Sequence, residues 1–326
     1  MFWTVVNGTV MQHPPLLILG LNPAWQRLFL MERLVPGGVH RLETPRDHAS
    51  GKGLNLARVS RVLGVDSICL QFAGGSHGRA IVEELDHVGI QHCTVYTEGD
   101  TRVCTTLSEV DGQSTELIEP SQNLSTSEVE NFFEQFASLW DAAECVALCG
   151  TAPRGFPWER LCVFHPGKRK LYLDAWVGVH GWLETSPALL KVNAEELGRL
   201  LGIDSGGEVV DVFVLAKQAM FRYPIQTLVV TQGSRRVLVF SGKRVLYLCP
   251  PRPSRFVNAI GAGDSFLAGW VSADTEGLSL EACLARGVAV SSVRCEVELP
   301  WELDLERVKI VEAEVIQRIG EIPWES

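Results

Sequence analysis

Apolar residues recur along this chain in two alternating rhythms. Short, nearly continuous apolar runs at residues 16–21, 67–72, 145–149, 170–174, 189–192 and 227–231 read as buried strands. Between most of them lie longer stretches with apolar positions at helical spacing. In residues 55–63, Leu56, Val59, Val62 and Leu63 share one face, and residues 126–139, 195–201 and 211–221 follow the same period. This alternation predicts an α/β fold: a mostly parallel central sheet with helices on both faces. Ligands of such sheets bind beyond the carboxyl ends of the strands, and the polar motifs of this chain follow its apparent strands.

Two regions break the rhythm. Residues 28–45 hold prolines, glycines and short alternating pieces, and residues 102–120 alternate around Asp111-Gly112, a strong hairpin signal. Both read as β segments of a small lid outside the main sheet. Residues 1–15 read as a loose extension ahead of one domain spanning 16–326. No internal repeat or low-complexity tract is visible.

Bulk properties narrow the partners. The chain has 326 residues, 46% of them hydrophobic, enough for a large core. A formal charge of −10 argues against a nucleic-acid or anionic-membrane partner, though not against a small anionic substrate. The nine cysteines form no CxxC pair, which fits a reduced, cytoplasmic protein better than a disulfide or zinc framework. No apolar run is long enough to span a membrane.

Four polar motifs carry candidate chemistry. The first is Asn258-Ala259-Ile260-Gly261-Ala262-Gly263-Asp264, directly before a helical pattern with Phe266, Leu267, Trp270 and Val271 on one side. A glycine turn opening a helix presents backbone N–H groups at the positive end of the helix dipole, which suits phosphate or a developing anion. Asp264 stands where a base would face an attacking hydroxyl, although an Asp in such a turn also serves as a cap. The second is Gly51-Lys52-Gly53-Leu54-Asn55, whose glycines permit close ligand approach. It is neither a Walker A loop nor a dinucleotide fingerprint. The third is Lys191-Val192-Asn193-Ala194-Glu195-Glu196. Asn193 and Glu196 either hold Mg²⁺ through water or form a capping box. The fourth is the turn Thr231-Gln232-Gly233-Ser234, which is a plain turn or a contact for nucleotide phosphate or ribose.

Taken together and in this order, the motifs resemble those of the ribokinase-like (PfkB) carbohydrate kinases. Gly261 to Asp264 match the C-terminal signature, Gly51 to Asn55 the N-terminal one, Asn193 to Glu196 the N-x-x-E magnesium motif, and Thr231-Gln232-Gly233 the strand-end nucleotide turn. The resemblance implies a ribokinase-like domain with a β lid that often dimerises, and ATP-dependent phosphorylation of a sugar hydroxyl. It implies Asp264 as general base, with the N–H groups around Gly261, Ala262 and Gly263 stabilising the transferring phosphoryl. It places Mg²⁺ near Asn193 and Glu196, and nucleotide near Lys191, Asn193, Thr231 and Gly233.

Leu21-Asn22-Pro23-Ala24, Thr101-Arg102 and the stretch from Thr115 to Pro120 are similar to the phosphosugar branch, whose acceptors are fructose-1-phosphate, fructose-6-phosphate and tagatose-6-phosphate. There Gln26, Arg41, Gly51, Lys52, Gly53, Asn55 and Arg102 would line the substrate site, the basic groups neutralising the sugar's phosphate. Gln26 departs from the branch, which usually has Asp at that position. A kinase for an unphosphorylated sugar or nucleoside, and a non-catalytic sugar-phosphate sensor, therefore stay open.

Overall fold

The structure, a computed structural model, describes residues 4–6, 9–11, 16–110, 112–203, 211–299 and 301–324. The rest of the 1–15 extension and Asp111 of the expected turn lie outside these residues. Within the extension, β1 (Thr4–Val6) and β2 (Thr9–Met11) pair antiparallel.

The core is a ten-stranded sheet. Its parallel part comprises β3 (Leu16–Leu19), β6 (Ser67–Gly74), β7 (His92–Thr97), β10 (Cys145–Cys149), β11 (Lys170–Asp174), β12 (Leu189–Asn193) and β13 (Thr227–Thr231). From one edge these run β7-β6-β3-β10-β11-β12-β13. Three strands then continue antiparallel: β14 (Val237–Ser241), β15 (Arg244–Leu248) and β16 (Gly320–Pro323). Strand order reverses between β3 and β10, because the chain leaves β3 toward β6 and returns on its other side.

Alternate residues of each strand feed opposite faces, as the pleat requires. Leu17, Leu19, Val146, Leu148, Leu171 and Leu173 pack on one face with α3 (Thr126–Ala142) and α7 (Val212–Arg222). Short helices α4 (Trp158–Leu161), α5 (His180–Leu183) and α6 (Ala194–Leu200) complete that layer. Leu16, Ile18, Cys69, Ala147 and Tyr172 pack on the other face, against α1 (Lys52–Val62), α2 (Gly75–His87), α8 (Ala262–Thr275), α9 (Leu280–Arg294) and α10 (Leu305–Ile316). Cover on both faces explains why the strands read as continuous apolar runs.

The lid is a four-stranded sheet in the order β5-β4-β8-β9, built from β4 (Ala24–Met31), β5 (Arg46–Ser50), β8 (Val103–Glu109) and β9 (Ser114–Ile118). Both outer pairs are antiparallel, and the inner β4–β8 pair is parallel. The expected lid segments were 28–45 and 102–120. The second matches β8 and β9, whereas the first is shifted: β4 begins at Ala24, and residues 32–45 connect it to β5 without strand structure.

One contact fixes how α1 meets the sheet. A Cβ on Gly53 would lie 2.3 Å from the Cα of Gly20, just beyond β3. Backbone thus meets backbone, and neither side has a side chain that can yield. Gly53→Ala is expected to destabilise the fold by about 1–3 kcal/mol. A urea titration beside the wild type checks this, and an unchanged midpoint contradicts it.

Candidate active site

The site gathers where strand order reverses, at the carboxyl ends of β3, β10, β11 and β12. Past β3, the Asn22 amide donates to Thr151 Oγ1 at 3.0 Å and so bridges the loops after β3 and β10. A cavity of about 210 Å³ opens there, lined by Asn22, Gly51, Lys52, Gly53, Arg102 and Thr151 among others.

Lys52, at the first position of α1, reaches across to two carboxylates. Its Nζ donates to Asp174 Oδ1 at 2.9 Å and to Glu196 Oε1 at 3.1 Å. Asp174 ends β11 and is fully buried, and its other oxygen accepts from Lys191 Nζ at 2.7 Å. Burial alone would raise the Asp174 pKa, but Lys191 and Lys52 outweigh it and hold the carboxyl below its usual range. For Lys52, burial acts downward, and Asp174, Glu196 and Asp264 together push it well above an ordinary lysine. Lys52 therefore stays charged, and so does the aspartate it shares with Lys191.

Asp264 lies in the first turn of α8 and is buried. Its Oδ2 accepts from Asn55 Nδ2 at 2.8 Å. The Asn55 Oδ1 is buried and has no partner among the described residues. Burial, then the charge of Asp174, raises the Asp264 pKa to about 6, with Lys52, Asn55 and Lys191 acting the other way. Gly261 caps α8 in the left-handed region at φ 73, where a side chain would be strained. No side chain caps this helix. The Ala262 N–H is taken by Ala259 O, but those of Gly261, Gly263 and Asp264 meet no acceptor among the described residues. A Cβ on Gly263 would stand 3.3 Å from Lys191 Nζ, so this glycine turn borders the lysine pair.

Asn193 and Glu196 form the capping box of α6. Asn193 Oδ1 accepts from Glu196 N at 2.8 Å, and Glu196 Oε2 accepts from Asn193 N at 2.9 Å. Thr231 is the in-register neighbour of Asn193, which sets the two strand-end turns side by side. Gly233 is exposed at φ 60, and Arg236 Nε donates to Gln232 Oε1 at 2.6 Å, closing that turn.

The lid contributes unevenly. Thr101 Oγ1 accepts from Gly74 N at 2.9 Å and its own N–H returns to Gly74 O at 3.0 Å, pinning the Thr-Arg pair to the end of β6. Arg102 is thereby aimed at the cavity, with Nη2 on Asn22 O at 3.0 Å. Gln26 does not line the cavity: it is buried in the lid sheet, where Nε2 donates to Thr106 Oγ1 at 2.8 Å. Arg41 is exposed in the 32–45 connection and makes no hydrogen bond or ion pair among the described residues. The structure therefore unites Asp264, Asn55, Lys52, Lys191 and Glu196, places Arg102 next to them, and leaves Arg41 outside.

Sequence reasoning missed Asp174. Its signal was an acidic residue ending an apolar run, at the end of a parallel strand where ligands bind. It also missed Arg294, and it gave Asn258 no role of its own although that residue opens the first motif. Nothing in a helix-ending arginine announces that its side chain turns inward.

The raised pKa of Asp264 has a consequence for stability. A folded carboxyl that holds its proton to higher pH than the unfolded chain makes the fold lose stability as pH rises from about 4 to about 6, and the loss persists above. Asp264→Asn removes that term. The variant should be more stable than wild type by about 1–3 kcal/mol at pH 7, with the gap closing below about pH 4. Paired urea melts across pH check this, and equal stability at pH 7 contradicts it.

The chain aligns over more than nine-tenths of its length with several solved sugar kinases. Phosphofructokinase-2 from Escherichia coli, in complex with substrates and products, superposes with a TM-score of 0.80 at 22% identity, over 92% of this chain and 99% of that one. A possible 1-phosphofructokinase from Thermotoga maritima gives 0.79 at 20% identity, over 95% and 99%. Arabidopsis thaliana ribokinase, complexed with ribose and ATP, gives 0.71 at 21% identity, over 92% and 98%. At these identities the likeness establishes the ribokinase-like fold. The profile of the pfkB family carbohydrate kinases matches residues 26–300, a span that holds the motifs at 51–55, 191–196, 231–234 and 258–264. The chain belongs to the pfkB family of carbohydrate kinases and is a phosphotransferase of that family.

Proposed function

We propose that this kinase transfers the γ-phosphoryl group of ATP to a hydroxyl of a sugar phosphate, with Asp264 as general base. The observation that carries the reading is a buried carboxylate with a raised pKa, set on a helix start where the N–H groups of Gly261, Gly263 and Asp264 meet no acceptor among the described residues. A base with a pKa of about 6 is ionised at neutral pH and retains basicity for a hydroxyl proton. The N–H groups of Gly261, Gly263 and Asp264 suit the charge that develops on the transferring phosphoryl. Asn55 orients the carboxylate through Oδ2 and offers Oδ1 to a sugar hydroxyl. Lys52 and Arg102 line one cavity and give it the positive charge that a second phosphate needs.

Family carbohydrate kinases use ATP, and Mg²⁺ is typical of them. Among the described residues no three His, Cys, Asp or Glu side chains are placed to hold a metal directly. That suits Mg²⁺ bound mainly by phosphate and water. Each oxygen of Glu196 takes one donor from the protein, which leaves it free to accept from a metal-bound water, so Asn193 and Glu196 fit an outer role. Bound there, the ion would neutralise phosphate charge. Lys191, Thr231 and Gly233 border the same edge and would contact the nucleotide.

The test is a coupled assay with Mg-ATP on fructose-6-phosphate, fructose-1-phosphate, tagatose-6-phosphate and their unphosphorylated sugars. We expect kcat/KM to rise with pH through about 6, and Asp264→Asn to lower kcat by about 10²–10⁴. Arg102→Ala should raise KM for the phosphorylated sugar by about 10-fold or more and leave a neutral sugar unaffected. Turnover of neutral sugars alone would replace the phosphosugar reading with its alternative.

The lid supports a homodimer. Its outer strand β9 has an open edge and exposes Leu117 and Ile118. Sedimentation should give a dimer that Ile118→Lys reduces to monomer, and a monomeric wild type contradicts this.

A further inference from the structure

Arg294, the last residue of α9, is one of the largest fully buried side chains, yet no carboxylate among the described residues bonds to it. Burial drives its pKa down to about 10, so it stays charged at neutral pH. Oxygen dipoles meet that charge instead. Nη1 donates to Val297 O at 2.7 Å, and Nη2 to Glu298 O at 3.2 Å and to Asn258 Oδ1 at 2.9 Å. Asn258 opens the segment that becomes the anion cradle. Its Oδ1 also accepts from Ile260 N at 3.1 Å, and its Nδ2 donates to Glu298 O at 3.2 Å. The backbone on either side is tied as well, with Val257 N on Cys295 O at 2.8 Å.

One oxygen therefore receives both the guanidinium and the amide next to the left-handed Gly261. We propose that Arg294 is a positioning residue for phosphoryl transfer. Its fork fixes the Asn258 amide, Asn258 fixes the Ile260 peptide, and that peptide sets the direction of the unpartnered N–H groups at Gly261 and Gly263. A guanidinium serves because its rigid planar fork holds three acceptors in fixed directions, whereas an ammonium's donors rotate at the end of a flexible stem. Arg294 lies away from the cavity of Lys52 and Arg102, so its effect falls on turnover and not on capture of the sugar.

The inference rests on the proposed role of the cradle. It is tested with Arg294→Lys, which retains the charge, and Asn258→Ala, which leaves Arg294 to satisfy the carbonyls of 297 and 298. For whichever of the three sugar phosphates the wild type phosphorylates, each variant should lower kcat by about 10–100-fold, with KM for the sugar within about threefold. Together they should cost little more than either alone. Hydrogen–deuterium exchange read on residues 257–265 should accelerate in both, with the β3 and β10 peptides unchanged, a readout that needs no substrate. Wild-type kcat in a folded variant, or unchanged exchange at 257–265, overturns the proposal. A kcat loss no larger than the loss of folded protein also overturns it and leaves Arg294 purely structural. If Asp264→Asn abolishes turnover while these variants keep it, this inference fails alone; if Asp264→Asn is also active, the reading of the cradle fails with it.

Discussion

The site depends on one buried carboxylate shared between two lysines. Asp174 receives Lys52 on one oxygen and Lys191 on the other, and so joins the start of α1 to the ends of β11 and β12. A buried ion held this way is costly to disturb, because removing either partner leaves uncompensated charge in a medium that solvates it poorly. The arrangement also shapes everything around it. Glu196 takes the second bond of Lys52, so the two lysines are matched by two carboxylates, and Asp264 is a third in the same crevice. The negative charge of Asp174 still reaches Asp264, and with burial it keeps that carboxyl hard to ionise.

Two carboxylates in one crevice thus take different characters. Asp174 is tied by ammonium groups on both oxygens and stays ionised well into acid. Asp264 has a single amide donor, and its proton is held to near-neutral pH. Divergent environments for like groups are a common way in which a protein prepares one of them as a base. Helix α8 works in the same direction. Its start lacks a side-chain cap, so the dipole and the N–H groups that a capping side chain often satisfies are left facing the crevice.

Much of this was legible in the sequence. Strands 145–149, 170–174 and 227–231 read with the bounds they have in the structure, because runs buried on both faces carry an unbroken apolar signal. The lid was harder. Its half-buried strands mix with loop composition, so β4 was read late and the 32–45 connection was read as strand. At the site, the glycine motifs gave Asp264, Lys52 and Asn55, since backbone-limited turns fix local sequence. Asn193 and Glu196 form the capping box that was one of the two readings their spacing offered. Asp174 and Arg294 escaped notice because their significance lies in partners far along the chain. Gln26 stood out as a departure, and the structure supplies a physical reason for an amide there: its NH₂ donates to Thr106 Oγ1, which an ionised carboxylate cannot do.

The segment after α9 has a consequence beyond the arginine that grips it. Its Glu298 side chain pairs with Arg46 on lid strand β5. Trp301 meets His48 of the same strand edge-on, and the Arg58 guanidinium stacks over it at 3.8 Å. The carbonyl of that same Glu298 is the one held by Arg294 and Asn258. Lid and cradle, remote in sequence, are therefore fastened to one short strap. Any swing of β5 away from the large sheet must either tear its charge pair and ring contact or pull on the peptide that aims the cradle. Lid strand β5 and the glycine turn at Gly261 are, in this architecture, mechanically coupled through that strap.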